Sequence, residues 1–180
     1  MNKERITQDA VAFVKERLSK EGTGHDWWHI ERVRKNAKLI NKTEKADWFV
    51  IDLAVLLHDV GDRKVINTEN DDYSIAENFL RSCDILPDKI EKIMFIIKNM
   101  SFSQSLDKMR LNASKEFCVV QDADRLDALG AIGIARAFAF GGARSRLLYD
   151  PTKKVRRIDS TENYKKRESS TLIHFYEKIL

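Results

Sequence analysis

Residues 47–62 read DWFVIDLAVLLHDVGD, and this stretch decides the fold. Between Trp48 and Leu57 almost every position is apolar, so a helix built from it is hydrophobic nearly all the way round. Such a helix is stable only at the buried centre of a bundle. It is expected to run from about Asp47 and to stop at Gly61. His58 and Asp59 then fall at the end of the most buried helix, where a polar pair costs several kcal/mol unless something satisfies it.

The rest of the chain can be built outward from that centre. Ile6, Ala10, Val14 and Leu18 follow helical spacing, and so do Ile30, Val33, Ala37 and Ile40. Gly22, Thr23 and Gly24 separate these two helices, with Thr23 or Asp26 available as the cap of the second. Further helices are expected at about 71–83, 88–99, 115–139 with a break near Gly130 or Gly133, and 161–180. The longer connections, 100–114 and 140–160, are the places where function is expected to lie. No convincing strand or repeat is present. The expected fold class is all-α, a compact bundle of about six to eight helices in one domain spanning 1–180, with its motif-bearing core at about 25–140.

Composition agrees with this and excludes some classes. The chain has 43% hydrophobic and 33% charged residues with only seven Gly and two Pro, which suits amphipathic helices and not disorder. The N-terminus interrupts its apolar positions with charge every few residues, unlike a signal peptide or membrane span. Cys83 and Cys118 form no CxxC pair, so reduced buried thiols and a cytoplasmic location are expected. The net charge is +4, and residues 144–168 alone hold nine Arg or Lys against four acids. That segment suits a phosphate-bearing partner, a solvated helix face being the plain alternative.

Four histidines are all the chain has, so their placement is informative. A metal ion would satisfy His58 and Asp59, provided it lies beyond the helix face the two share. Further ligands must come from elsewhere, with His29 and an Asp of QDADRLDALG, residues 121–130, as the natural candidates. Two His and two carboxylates suit a borderline-to-hard divalent ion. His25 and Asp26 also lie together, but at a helix start beside a glycine turn, where capping is the ordinary role.

The segments HDWWHIERV (25–33), LLHDVGD (56–62) and DADRLDALGAIGIAR (122–136) resemble, in order and separation, the motifs of the HD superfamily of metal-dependent phosphohydrolases. YDPTKK (149–154) and STLIHFYEKIL (170–180) resemble its small stand-alone bacterial subgroup, whose relatives include nucleotide pyrophosphatases and nucleotidases. The resemblance implies a metal site of His29, His58, Asp59 and Asp124. It implies one divalent ion, Mn²⁺ first, with Mg²⁺, Fe²⁺, Co²⁺ or Ni²⁺ as alternatives. Di-iron members add histidines between the HD pair and the last Asp; here none occurs between His58 and His174, so a single-metal centre follows.

The expected chemistry is attack on phosphorus by a water that the ion activates, since no Ser or Cys triad is visible. Asp62 lies three residues beyond Asp59, the spacing at which several HD hydrolases carry a general base, so Asp62 and Asp59 are the catalytic candidates. Capping or a salt bridge to Lys64 is the alternative for Asp62. For substrate phosphates the candidates are His25, Arg32, Lys64, Arg144 and Arg146, and NMSFSQ (99–104) is a weak candidate for the pocket lining. Asp122 and Asp127 are expected to support a histidine or Arg125 from behind, and His174 to be structural. The expected partner is a nucleotide. A nucleic-acid-binding or regulatory module is disfavoured because the basic segment lacks interleaved aromatics apart from Tyr149 and Tyr164. Hydrolysis of the guanosine alarmone is a further alternative. No membrane partner is expected. The subgroup's longer members continue past the HFYEK region, so a helix supplied by a second chain makes a homo-oligomer an open expectation.

Overall fold

The computed structural model describes residues 2–22, 24–66, 68–101, 113–156, 158 and 169–179, without the side chains of Lys64 and Ile179. Thr23, the 102–104 part of NMSFSQ, Tyr164 and the 161–168 part of the expected last helix lie outside the described residues. So do Arg157, Asp159 and the charged residues of 162–168 in the basic segment.

The described residues hold helices and no strand. They are α1 (Lys3–Leu18), α2 (Trp27–Glu44), α3 (Trp48–Leu57), α4 (Arg63–Ile66) and α5 (Ser74–Ser82). After these come α6 (Pro87–Asn99), α7 (Lys115–Asp127), α8 (Gly130–Ala143) and α9 (Thr171–Ile179). The apolar helix is central as expected: α3 packs against α1, α2, α6 and α7, and every residue from Phe49 to Leu57 is buried. Burying a Leu, Ile or Val contributes roughly 1.5–3 kcal/mol, so this one helix anchors the core. Its one charge, Asp52, is only 2% exposed and accepts a fork from Arg34 on α2, Nε at 2.6 Å and NH2 at 2.9 Å. That pair holds α2 in register against α3.

The helix is shorter than its sequence suggested. It ends at Leu57, and residues 58–61 form a turn instead of a further helical turn. Gly61 lies so close to the 72–73 backbone that an added Cβ would stand 2.1 Å from the Asp72 carbonyl oxygen. Asp72 N–H also donates to the Gly61 carbonyl at 2.8 Å. A side chain there would push the turn open, so this contact fixes where His58 and Asp59 sit.

Asp26 caps α2, accepting from His29 N–H at 2.7 Å. The long helix expected at 115–139 is two helices, α7 and α8, bent by 78° at the break. α8 buries only Gly133 and Gly141, and it carries α9. No single helix among the described residues is long and apolar enough to cross a membrane. Cys83 and Cys118 are free thiols and half-buried, less enclosed than expected.

Candidate metal centre

Three elements converge where α3 ends. Helix α2 supplies His29, the turn after α3 supplies His58 and Asp59, and α7 supplies Asp124. His29 is fully buried, and its Nε2 lies 3.4 Å from Asp59 Oδ2 and 3.3 Å from Asp124 Oδ1. His58 Nε2 lies 3.4 Å from Asp59 Oδ1 and 3.9 Å from Asp124 Oδ1. Ligand atoms bonded to one ion at about 2.1 Å stand roughly 3.0–3.4 Å apart, so these separations need little adjustment to accept one.

The imidazoles are set in the matching tautomer. His58 Nδ1 donates to the Val55 carbonyl at 2.8 Å, and His29 Nδ1 donates to Asp127 Oδ2 at 2.8 Å. Each ring therefore commits Nδ1–H outward and turns Nε2 toward the carboxylates. Neither Nε2 has a hydrogen-bond partner, although both atoms are buried. Buried polar atoms are ordinarily satisfied. Two orphaned nitrogens facing two carboxylates are what a divalent cation would complete, so the residues present fit such an ion.

Electrostatics agree. Burial pushes the Asp59 carboxyl up, but the imidazoles of His58, His25 and His29 more than offset it and hold Asp59 well below the usual range. Burial likewise pushes Asp124 up, and His29 and His58 hold it low. For His29, burial lowers proton affinity while Asp124 and Asp127 raise it, with a net rise to about 9. A cation would displace that proton.

Behind the site Asp127 is a hub. It is 6% exposed and accepts from His29, from Arg32 Nε at 2.7 Å and NH2 at 3.1 Å, and from Arg136 NH1 at 2.8 Å. Its support therefore goes to His29 and these two arginines, while Asp122 is exposed. Arg136 also donates through Nε to the Gly24 carbonyl at 2.6 Å. Gly24 adopts φ +97°, and a Cβ there would crowd the Arg136 side chain at 3.1 Å. Arg136 was not foreseen, because only the bend before α8 returns it to the site.

His25 is drawn in further than its rim position suggested. Its Nδ1 lies 3.0 Å from Asp59 Oδ2, and His25, His29 and Asp59 form a second potential ligand group beside His29, His58 and Asp124. Arg32 spends its fork on Asp127. Asp62 opens α4: its N–H donates to the Asp59 carbonyl at 3.1 Å, and its own carbonyl accepts from Val65 and Ile66. Burial first, and then Asp71 and Asp62, push the Tyr73 hydroxyl up to about 12. The Lys64 side chain lies outside the described residues. Arg144 is exposed and faces the Phe140 ring, its guanidinium 5.6 Å from the centroid, and Arg146 is half-buried after α8. His174, half-buried on α9, lies 3.7 Å from Glu177 Oε2.

Known proteins share this architecture. The chain is 36% identical over 168 residues to the uncharacterized protein YpgQ of Bacillus subtilis, a match spanning 93% of this chain and 74% of that protein. The crystal structure of YpgQ in complex with ADP superposes with a TM-score of 0.68 at 34% identity, over 93% of this chain and 79% of that one. A Lactobacillus plantarum structure superposes with a TM-score of 0.84 at 34% identity, over 99% of this chain and 82% of that one. An HD-superfamily hydrolase of Bacillus thuringiensis is 38% identical with a TM-score of 0.63, over 93% of this chain and 80% of that one. No protein-family profile matches the chain. The chain belongs to the HD superfamily of hydrolases.

Proposed function

We propose that this HD-superfamily hydrolase cleaves a phosphoester or phosphoanhydride bond in a nucleotide, with one divalent ion held by His29, His58, Asp59 and Asp124. The observation that carries the reading is the pair of buried, unpartnered Nε2 atoms of His29 and His58 facing Asp59 and Asp124. Crystallisation of the YpgQ relative with ADP supports the nucleotide class. When bound, the ion would supply Lewis acidity toward a phosphoryl oxygen and acidify a water, and Mn²⁺ is the ion we expect.

The chain's own residues divide the remaining work. Asp127 fixes the His29 ring, so that its Nε2 stays aimed into the site. Asp62 is the proposed proton acceptor for the attacking water. With Nδ1 committed to Asp59, His25 has Nε2 left for a substrate phosphate. Arg144 and Arg146 are proposed to aid capture, so replacing both with Ala should raise KM more than it lowers kcat.

Two measurements test the reading. Purified His58→Ala and Asp124→Ala variants should lose bound divalent metal while retaining a helical circular-dichroism spectrum. The Mn²⁺-loaded protein should release phosphate or pyrophosphate from at least one member of a nucleotide panel. Full metal retention in both variants, or no turnover across the panel, would overturn it.

A further inference from the structure

His25 stands on the short connection between α1 and α2, outside either helix. Among the described residues neither Gly24 nor His25 makes a backbone-to-backbone hydrogen bond, so side chains hold this connection. Glu21 accepts from His25 N–H at 2.9 Å, the His25 ring reaches Asp59 Oδ2 at 3.0 Å, and Arg136 Nε donates to the Gly24 carbonyl at 2.6 Å. Glu21 belongs to the same connection. Apart from the join to α2, the fixed references for His25 are therefore Asp59 and Arg136.

Arg136 comes from α8 and is itself placed from behind. Its NH1 donates to Asp127 Oδ2 at 2.8 Å, and Asp127 is gripped by the Arg32 fork and bonded to the His29 ring. The Arg136 stem lies against Gly24, where an added Cβ would stand 3.1 Å from its Cγ and 3.2 Å from its Cβ. The φ of +97° at Gly24 is left-handed backbone that glycine alone adopts readily, so both the turn and the close approach require it. One guanidinium thus joins the carboxylate that orients His29 to the carbonyl that precedes His25. With a side-chain exposure of 18%, it is partly shielded from water, where charge-assisted bonds keep their strength.

The ring of His25 shows what this arrangement achieves. Asp59 is a carboxylate and can only accept, so His25 Nδ1 carries the hydrogen and Nε2 is the nitrogen left over. A shift of the connection would break that bond and turn Nε2 away.

We infer that Arg136 is a positioning residue: it holds the Gly24–His25 connection against Asp127, so that the His25 ring stays seated on Asp59 with Nε2 turned to a substrate phosphate. The phosphate contact rests on the proposed function; the seating of the ring does not.

Arg136→Lys tests the inference, because lysine keeps the charge and much of the stem but lacks the Nε donor and the fork that spans carbonyl and carboxylate. Histidine-selective NMR of the full, metal-stripped chain follows the ring N–H hydrogens, with His25→Gln identifying the His25 signal. Wild type should show a hydrogen-bonded Nδ1–H for His25, and Arg136→Lys should lose it. The Nδ1–H signals of His29 and His58, held by Asp127 and the Val55 carbonyl, should remain. Gly24→Ala, which crowds the same contact from the other side, should give the same selective loss. A His25 signal absent from wild type or unchanged in Arg136→Lys would overturn the inference. So would loss of all three signals together, since the effect would then lie on Asp127 or on the fold.

Kinetics supply the second readout, using the best-cleaved member of the nucleotide panel with Mn²⁺. Arg136→Lys should raise KM at least about tenfold, the scale of one charge-assisted hydrogen bond, with a smaller change in kcat. His25→Gln should raise KM alike, and the double variant should raise it no further; effects that multiply would overturn the inference. Mn²⁺ affinity should fall less than about tenfold, since Asp127 keeps Arg32 and His29. If wild type turns over no nucleotide, the proposed function fails, and the NMR result still decides the role of Arg136.

Discussion

Replacing Asp127 with Asn removes one charge while keeping the side chain's size, and its effect can be worked out bond by bond. The carboxylate accepts four charge-assisted hydrogen bonds: one from His29, two from Arg32 and one from Arg136. Three of the four fall on Oδ2 and only the Arg32 Nε bond on Oδ1, so an amide with its oxygen at the Oδ2 position turns its N–H₂ against Arg32 Nε, losing that bond and the charge assistance of the other three. Hydrogen bonds to charged groups contribute roughly 1.5–3 kcal/mol each when buried. Arg32 and Arg136 keep side-chain exposures of 33% and 18%, so water recovers part of the loss. The expected destabilisation is about 2–4 kcal/mol. The His29 ring also loses the partner that fixes its tautomer, which should cost about 10–100-fold in metal affinity. Urea unfolding and Mn²⁺ titration calorimetry measure the two effects on one preparation. Asp122→Asn is the control, since Asp122 is exposed on the same helix and should change neither. Unchanged Mn²⁺ affinity in Asp127→Asn, with an unchanged unfolding midpoint, would refute the assignment of Asp127 as the group that orients His29.

Asp62→Asn should keep Mn²⁺ and lose turnover by roughly a hundredfold or more, because an amide cannot take the water's proton; wild-type kcat would reduce Asp62 to its place at the start of α4. In metal-free protein His29 has its pKa raised from 6.5 to about 9, so its contribution to stability is fully present below 6.5 and is lost as pH rises through about 9. That amounts to at most about 3 kcal/mol; urea midpoints in chelator, compared with His29→Gln, should converge with rising pH, and a constant gap would contradict the coupling. Arg34→Ala should destabilise by about 3 kcal/mol by stranding the buried Asp52, whereas Arg34→Met/Asp52→Leu should recover most of that; equal losses in the single and double variants would show that the charge is not the cause.

Particular residues show what was legible and what was not. The apolar run 48–57 determined by itself that α3 is the buried centre, because no other placement hides a helix that is hydrophobic all round. Spacing by four determined the buried face of α1, where Ile6, Ala10, Val14 and Leu18 are the buried residues. The motif segments singled out His29, His58, Asp59 and Asp124, and the structure brings these four into one cluster. Tertiary structure decided the rest. The end of α3 at Leu57 depends on the approach of Gly61 to Asp72, a contact between separate segments that no local periodicity encodes. Asp127 lies one helical turn beyond Asp124 and was visible as a supporting residue, but Arg136 reaches it only because the chain bends by 78° between α7 and α8. The basic run was legible as charge alone. That Arg156 is tied to Glu177, which also accepts from Ser169, depends on the fold, and side chains brought together across it leave no spacing in the sequence.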